Sequence, residues 1–281
     1  MKYLTKKDIS IPKRSPKSHK GDNGRVLAIG GSKDYVGAVA LAGLAALRSG
    51  ADWVTIAAPE KTGWALNALS PDLVVKKYKG DDFCASRAKD ILKFSEGFDA
   101  VLIGNGIGMH AETFCRKFVR ECRKPMVIDA DCIKSIDAGI VSNSILTPHQ
   151  KELEIFLKNS EKKIPKGESL EKRALFIRKQ LKEFFDKNNI LLLKGPVDTI
   201  ISKNKMVFNK TGNAGMTKAG TGDVLAGLCA GYLAQTKNLF QSACNAAYIN
   251  GIIGDILLKK KKGYTYLASD IVEEIRKYRG K

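Results

Sequence analysis

Short apolar runs recur along the chain, each stopped by glycine, proline, aspartate or histidine. RVLAIGG at residues 25–31 is the first, and DWVTIAAP (52–59), DAVLIGNG (99–106), KPMVIDAD (124–131), NSILTPH (143–149) and NILLLKG (189–195) follow. Runs this short, without polar alternation, predict strands buried on both faces. Between them the apolar residues recur at helical spacing. GAVALAGLAALRSG (37–50) is rich in alanine and leucine and closes on a glycine suited to a helix end; similar patterns cover 114–122 and 170–185. Alternating strands and helices predict an α/β fold, with a mainly parallel central sheet covered by helices on both faces. DTIIS (198–202) and KMVFN (205–209) follow the last long strand directly and predict a hairpin at the sheet edge. The rest reads as helix over 224–234, 241–258 and 268–278. No internal repeat, low-complexity segment or linker interrupts the pattern, so one domain over residues 1–281 is expected.

In open α/β sheets, ligands bind beyond the carboxyl ends of the strands. The polar punctuation gathers at those ends, as GGSKDY, GNGIG, DADC, TPHQKE and LKGPVD, and all of it could line one rim. Composition narrows what might bind there. At 281 residues and 44% hydrophobic, the chain can bury a sizeable core, yet no apolar run reaches the roughly 20 residues of a membrane span. The N-terminus is polar and has no signal-peptide core, so a cytoplasmic protein without membrane association is expected. Cys84, Cys115, Cys122, Cys132, Cys229 and Cys244 are scattered without a C-x-x-C pair, which argues for reduced thiols and against a zinc site or disulfides. The net charge of +19 attracts anions: nucleic acid, an anionic membrane surface or phosphorylated small molecules. Basic residues cluster only at 158–166 and in KKKK at 259–262, without interleaved aromatics on which bases could stack. The second cluster suits a solvated helix end. Phosphorylated small molecules fit this distribution better than nucleic acid.

The glycine-rich stretch TGNAGMTKAGTGDVLAG (211–227) holds a single carboxylate. Glycine lets backbone N–H groups approach phosphate oxygens, and helix N-termini attract anions. The chain nevertheless lacks G-x-x-x-x-G-K-[ST], and GNGIG (104–108) breaks the dinucleotide fingerprint because Met109 stands where the last glycine belongs. AGTGD differs from both in placing its acid at the start of a helix. The amides around Gly220 and Gly222 could hold a developing negative charge while Asp223 takes a proton from a hydroxyl, an arrangement suited to phosphoryl transfer. Asp223 could equally cap the helix. These five residues alone leave both readings open.

The wider stretch resembles the anion-hole loop of ribokinase-like enzymes. Its T-G-N-x-G-M lead into G-T-G-D is similar to that of the NAD(P)H-hydrate dehydratases that depend on ADP or ATP. Residues 18–59, GNGIG, VIDAD, LTPHQKE, LLKGPVD and LASDIVEEI follow in that family's order, so the resemblance covers nearly the whole chain. It implies a ribokinase-like α/β/α sandwich that restores hydrated NADH or NADPH, in the 6S form, to the reduced cofactor. ADP, with ATP as the alternative, would be consumed as co-substrate and released as AMP and phosphate. Mg2+ would ride on the nucleotide phosphates without protein ligands. The family further implies a homo-oligomer, often a tetramer. The epimerase domain that many relatives carry is expected here on a separate chain.

By the same resemblance, Asp223 would be the general base, with the Gly220 and Gly222 amides on the transferring phosphoryl. Gly222 would be needed for space and for its backbone angle. Ala38, Gly106, Gly108 and His149 would contact the hydrated dinucleotide. Ala38 could equally serve helix packing, the two glycines a plain turn and His149 local structure. Asn105 departs from the family's G-P-G-L-G, and QK replaces PG after His149 while Glu152 keeps the acid. Lys194, Gly195, Pro196, Val197 and Asp198 would bind the AMP portion, bordered by Asn209, Thr211 and Asn213, unless this segment is only a hairpin turn. A hydroxymethylpyrimidine or hydroxyethylthiazole kinase on the same fold is the nearest rival, and a nucleic-acid-binding protein the rival of another class.

Overall fold

The computed structural model describes residues 1–165 and 169–278. Lys166, the last residue of the basic run at 158–166, lies outside them. Every apolar run forms a strand, and strands alternate with helices from the first: β1 (Arg25–Ile29), α1 (Val36–Arg48), β2 (Trp53–Pro59), α2 (Glu60–Leu69), β3 (Val74–Tyr78) and α3 (Ala88–Ser95). The alternation continues through β4 (Ala100–Ile103), α4 (Glu112–Glu121), β5 (Met126–Ile128), α5 (Ala130–Ser135), β6 (Ser144–Leu146) and α6 (Gln150–Asn159). Two helices, α7 (Leu170–Gln180) and α8 (Lys182–Asp186), then precede β7 (Ile190–Leu193) and the hairpin β8 (Asp198–Ile201) and β9 (Met206–Asn209). The chain ends in α9 (Thr221–Thr236), α10 (Leu239–Lys260) and α11 (Ala268–Ile275).

The sheet order is β3-β2-β1-β4-β5-β6-β7-β8-β9. Pairing is parallel from β3 to β7 and antiparallel in the closing hairpin. The chain order reverses between β1 and β4, so the crevice where ligands gather in such sheets opens above their carboxyl ends. Successive strand residues face opposite layers. Val26 and Ala28 join the core under α1, α9, α10 and α11, while Leu27 and Ile29 join the core under α3 to α8. Both layers are buried, and this is why the strands read as continuous apolar runs.

Two features depart from the sequence pattern. β3 was not among the expected strands because Lys76 and Lys77 break its apolar run; as an edge strand it is only partly buried. The helix expected over 170–185 is two, divided at Leu181, whose φ of −102° and ψ of 30° leave the helical region. KKKK ends α10 in exposed positions, as expected of a solvated helix end.

Candidate active site

The loops after β4, β5, β6 and β7 converge on the N-terminus of α9. Gly104 ends β4 with a φ of +122°, and a Cβ there would lie 1.9 Å from the Asp129 carbonyl oxygen, so only glycine allows the two loops to pass this closely. Asp129 follows β5, and the next residue, Ala130, holds a left-handed φ of 51° that is uncommon for a residue with a Cβ. The turn places the Asp129 carboxylate inside the rim, 2% exposed. Thr147 Oγ1, after β6, donates to Asp129 Oδ1 at 2.8 Å, and Lys194 Nζ, after β7, reaches the same oxygen at 3.0 Å. Lys194 Nζ also lies 3.7 Å from Glu152 Oε2 in α6. Asn105 is 1% exposed, and its Nδ2 donates both to Asp129 Oδ2 at 2.9 Å and to Asp223 Oδ1 at 2.7 Å.

Asp223 does not cap its helix. Gly220 is the N-cap of α9 and no side chain makes a capping hydrogen bond there. Among the described residues Asp223 Oδ2 has no hydrogen-bond partner, and the N–H groups of Gly220, Gly222 and Asp223 donate to nothing. Thr221 pins the loop instead, its hydroxyl directed at the carbonyls of Met216 and Lys218. The helix start therefore offers unpaired amides beside a carboxylate with one free oxygen, which suits an anion at the positive end of the helix dipole. Gly220 has the left-handed φ of +92°; Gly222 lies within the helix, so the expected backbone demand falls on Gly220. A Cβ at Gly222 would meet Lys194 Nζ at 3.4 Å, which puts the ammonium beside the free amides.

Burial pushes the Asp223 carboxyl up to about 6 and the Asp129 charge adds to the rise; the Asn105 hydrogen bond and Lys194 oppose it. The group is therefore ionised at neutral pH yet basic enough to accept a proton. Burial works against the Lys194 charge, but Asp129 and Glu152 together hold its pKa above the usual lysine value, so it stays an ammonium. Asp129 and Glu152 are thus committed to Lys194. Among the described residues no group of His, Cys, Asp and Glu is placed to hold a metal ion.

Of the residues expected to meet the dinucleotide, Ala38, Gly106 and Gly108 lie at the switch point between β1 and β4, while His149 follows β6 farther along the rim. A Cβ on Gly106 would come within 3.1 Å of the Ala38 Cβ, and the Gly108 N–H donates to Asp131 Oδ2 at 3.1 Å. His149 is the N-cap of α6: its Nδ1 accepts from the N–H groups of Lys151 at 3.1 Å and Glu152 at 3.4 Å, while Glu152 Oε2 accepts from the His149 N–H at 2.8 Å. Its side chain has a structural task and is still 52% exposed.

Gly195 and Pro196 are exposed, and Lys194, Val197 and Asp198 partly so. The Gly195 N–H and Asn209 Nδ2 both donate to Asp198, each at 3.1 Å, and burial pushes the Asp198 carboxyl up to about 6. Asn209 is fully buried, and its amide also bonds the Ala247 carbonyl and accepts from Thr211, so it shapes this loop from beneath. Asn213 accepts from the Tyr266 hydroxyl at 2.6 Å and donates to Asp255 Oδ1 at 3.0 Å, holding the glycine-rich loop against α10. Sequence reasoning passed over Asp129, Thr147, Tyr266 and Asp255. An acid directly after a buried strand, on the same rim as Asp223, was the available signal for Asp129. All six cysteines are free and only Cys84 is exposed. No helix among the described residues is long and apolar enough to cross a membrane.

Comparison with known proteins places this geometry in context. A family model described as NAD(P)H-hydrate dehydratase matches residues 26–277. A bifunctional NAD(P)H-hydrate repair enzyme of Methanothermobacter thermautotrophicus is 41% identical over 95% of this chain and 52% of its own length, so the chain spans about half of that relative. An ADP-dependent (S)-NAD(P)H-hydrate dehydratase of Cenarchaeum symbiosum is 33% identical over 94% of this chain and 91% of its own. Among solved structures, the ADP/ATP-dependent NAD(P)H-hydrate dehydratase of Bacillus subtilis, co-crystallised with ATP and Mg2+, superposes with a TM-score of 0.80 at 26% identity, covering 100% of this chain and 99% of that one.

Proposed function

The chain belongs to the NAD(P)H-hydrate dehydratase family, and we propose that it catalyses the ADP-dependent dehydration of the 6S hydrates of NADH and NADPH, with ATP as the alternative phosphoryl donor. The observation that carries this reading is the α9 N-terminus, where unpaired amides, the Lys194 ammonium and the free oxygen of Asp223 meet. In this scheme Asp223 accepts the proton of the ring hydroxyl as that oxygen attacks the terminal phosphorus of the nucleotide. The bond from phosphorus to the AMP oxygen breaks, and the Gly220 and Gly222 amides with Lys194 stabilise the charge on the transferring group. Phosphate then departs as the ring-nitrogen lone pair moves in, and loss of a proton from the adjacent carbon restores the ring double bond. The products are reduced cofactor, AMP and inorganic phosphate.

Ala38, Gly106 and Gly108 would receive the dinucleotide in the crevice above β1 and β4, with His149 reaching it from the end of β6. Residues 194–198 would receive the AMP portion, on the loop braced by Asn209, Thr211 and Asn213. The protein residues do not fit a Mg2+ cage, since Asp129 and Glu152 are spent on Lys194; the ion would enter on the nucleotide phosphates. The reading extends to one catalytic domain over residues 1–281, a cytoplasmic homotetramer, and cooperation with an NAD(P)H-hydrate epimerase.

The test is to incubate the protein with hydrated NADH, Mg2+ and ADP. Near-ultraviolet absorbance of the dihydronicotinamide should return, with AMP and phosphate formed in equal amounts with it and nothing recovered without nucleotide. Stable phosphorylation of a vitamin-precursor alcohol, with no recovery of NADH under either nucleotide, would favour a kinase on this fold.

A further inference from the structure

Asn105 sits at the centre of the buried cluster. Both hydrogens of its amide are committed, one to Asp129 Oδ2 at 2.9 Å and one to Asp223 Oδ1 at 2.7 Å. The amide cannot be turned over, because its oxygen would then face two carboxylates. Held this way, Asn105 Oδ1 is buried without any hydrogen-bond partner. An unpaired buried acceptor is costly and uncommon, and its persistence calls for a reason. The backbone that carries the side chain is closely packed: a Cβ on Gly30 would fall 2.4 Å from the Asn105 carbonyl oxygen, and one on Gly104 would strike the Asp129 carbonyl. Among the described residues the amide is the only hydrogen-bonded tie between the carboxylate at the helix start and the acid after β5.

Resting on the reading above, we propose that Asn105 is a positioning residue, whose amide ties Asp223 to Asp129 and so turns the free Asp223 oxygen toward the substrate hydroxyl. A single oxygen is left for proton transfer, and the second is held by a donor that does not itself ionise. The same bond favours the charged form of the base. Three ionisable groups from other elements bear on Asp223: Asp129 after β5 and Glu152 on α6, which raise its pKa, and Lys194 after β7, which lowers it. His149 faces Glu152 rather than Asp223. Of the influences that lower the pKa of Asp223, the Asn105 hydrogen bond outweighs the Lys194 charge, so its removal should leave the carboxyl protonated to higher pH.

The experiment compares wild type with Asn105→Leu, which keeps the branched shape without the polar atoms, and Asn105→Ala, which adds no bulk should leucine disturb packing. The Asp223 carboxyl is followed by 13C NMR in labelled protein, assigned by loss of its signal in Asp223→Asn, and kcat and KM are measured against pH. Both variants should move the Asp223 titration, and the acid limb of the rate profile, upward by about one pH unit. The value of kcat should fall about ten- to a hundredfold while the KM for ADP stays within about threefold. An unmoved titration in a variant that folds overturns the proposal, even if kcat falls, since a purely structural role would lower the rate without shifting the limb. The NMR titration needs no turnover, so a wild type that restores no cofactor would sink the functional reading alone.

Discussion

Replacing Asp223 by asparagine should stabilise the protein while disabling it. Burial and the Asp129 charge lift the Asp223 carboxyl from 3.8 to about 6. The folded state therefore holds this proton more tightly than the unfolded state does. The group's penalty is absent below about pH 4, grows as pH rises between the two values, and is complete above about pH 6. A shift of roughly two units corresponds to about 3 kcal/mol against folding at pH 7.5. Asparagine carries no charge and can still accept from Asn105, so Asp223→Asn should recover much of this, about 1–3 kcal/mol once burial of the new amide is counted. For a chain of this length each kcal/mol is worth about 2 °C in Tm, so melting at pH 7.5 should rise by about 2–6 °C. At pH 4.5 the two proteins should melt within about 2 °C of each other, both residues being mainly neutral. The kcat should meanwhile fall by roughly two to four orders of magnitude, or about 3–5 kcal/mol of transition-state stabilisation. Thermal melts at the two pH values and saturating kinetics at pH 7.5 measure both effects. A variant less stable than wild type at pH 7.5, or active to within a few-fold, would refute the reasoning that a buried, strained base occupies this position.

Gly222→Val would crowd Lys194 Nζ, which lies 3.4 Å from a Cβ at that position, and narrow the space above the free amides; kcat should fall at least about a hundredfold with ADP affinity changed far less, and steady-state kinetics with a nucleotide-binding titration would show the reverse if the amides serve only binding. Lys194→Met leaves Asp129 and Glu152 buried without their cation, so stability at pH 7.5 should drop by about 3–5 kcal/mol. Urea unfolding of the variant and wild type reads this, and a loss below about 1 kcal/mol would contradict the pairing.

How much of this was legible beforehand depends on what kind of signal each feature leaves. The strands buried on both faces announce themselves as unbroken apolar runs, and six of the seven that precede the hairpin were readable that way. β3 was not, since an edge strand with one open side tolerates Lys76 and Lys77 where periodicity looks for apolar residues. Asp223 stood out because it is the only acid in a glycine-rich loop. Its helix-cap alternative could be set aside only by geometry, since the choice turns on where the carboxylate points. Asp129, Asn105 and Lys194 lie on different strand ends, at 129, 105 and 194 in the sequence, and nothing local reveals that the sheet order brings them into one buried cluster. Asn209 and Asn213 illustrate the converse: polar residues in the expected loop whose amides are consumed in bracing it.

The central claim is that the ring hydroxyl oxygen attacks the nucleotide phosphorus with Asp223 as its base, and the fate of that oxygen tests it. Hydrated NADH prepared in 18O-water carries the label on the hydroxyl; the enzyme is then run in ordinary water with ADP, and the inorganic phosphate is analysed by mass spectrometry. The account predicts one 18O atom in each phosphate formed from labelled hydrate, at the same rate as NADH returns. Unlabelled phosphate, with the heavy oxygen released to water, would mean that nucleotide hydrolysis and dehydration proceed by separate routes, and would contradict the account.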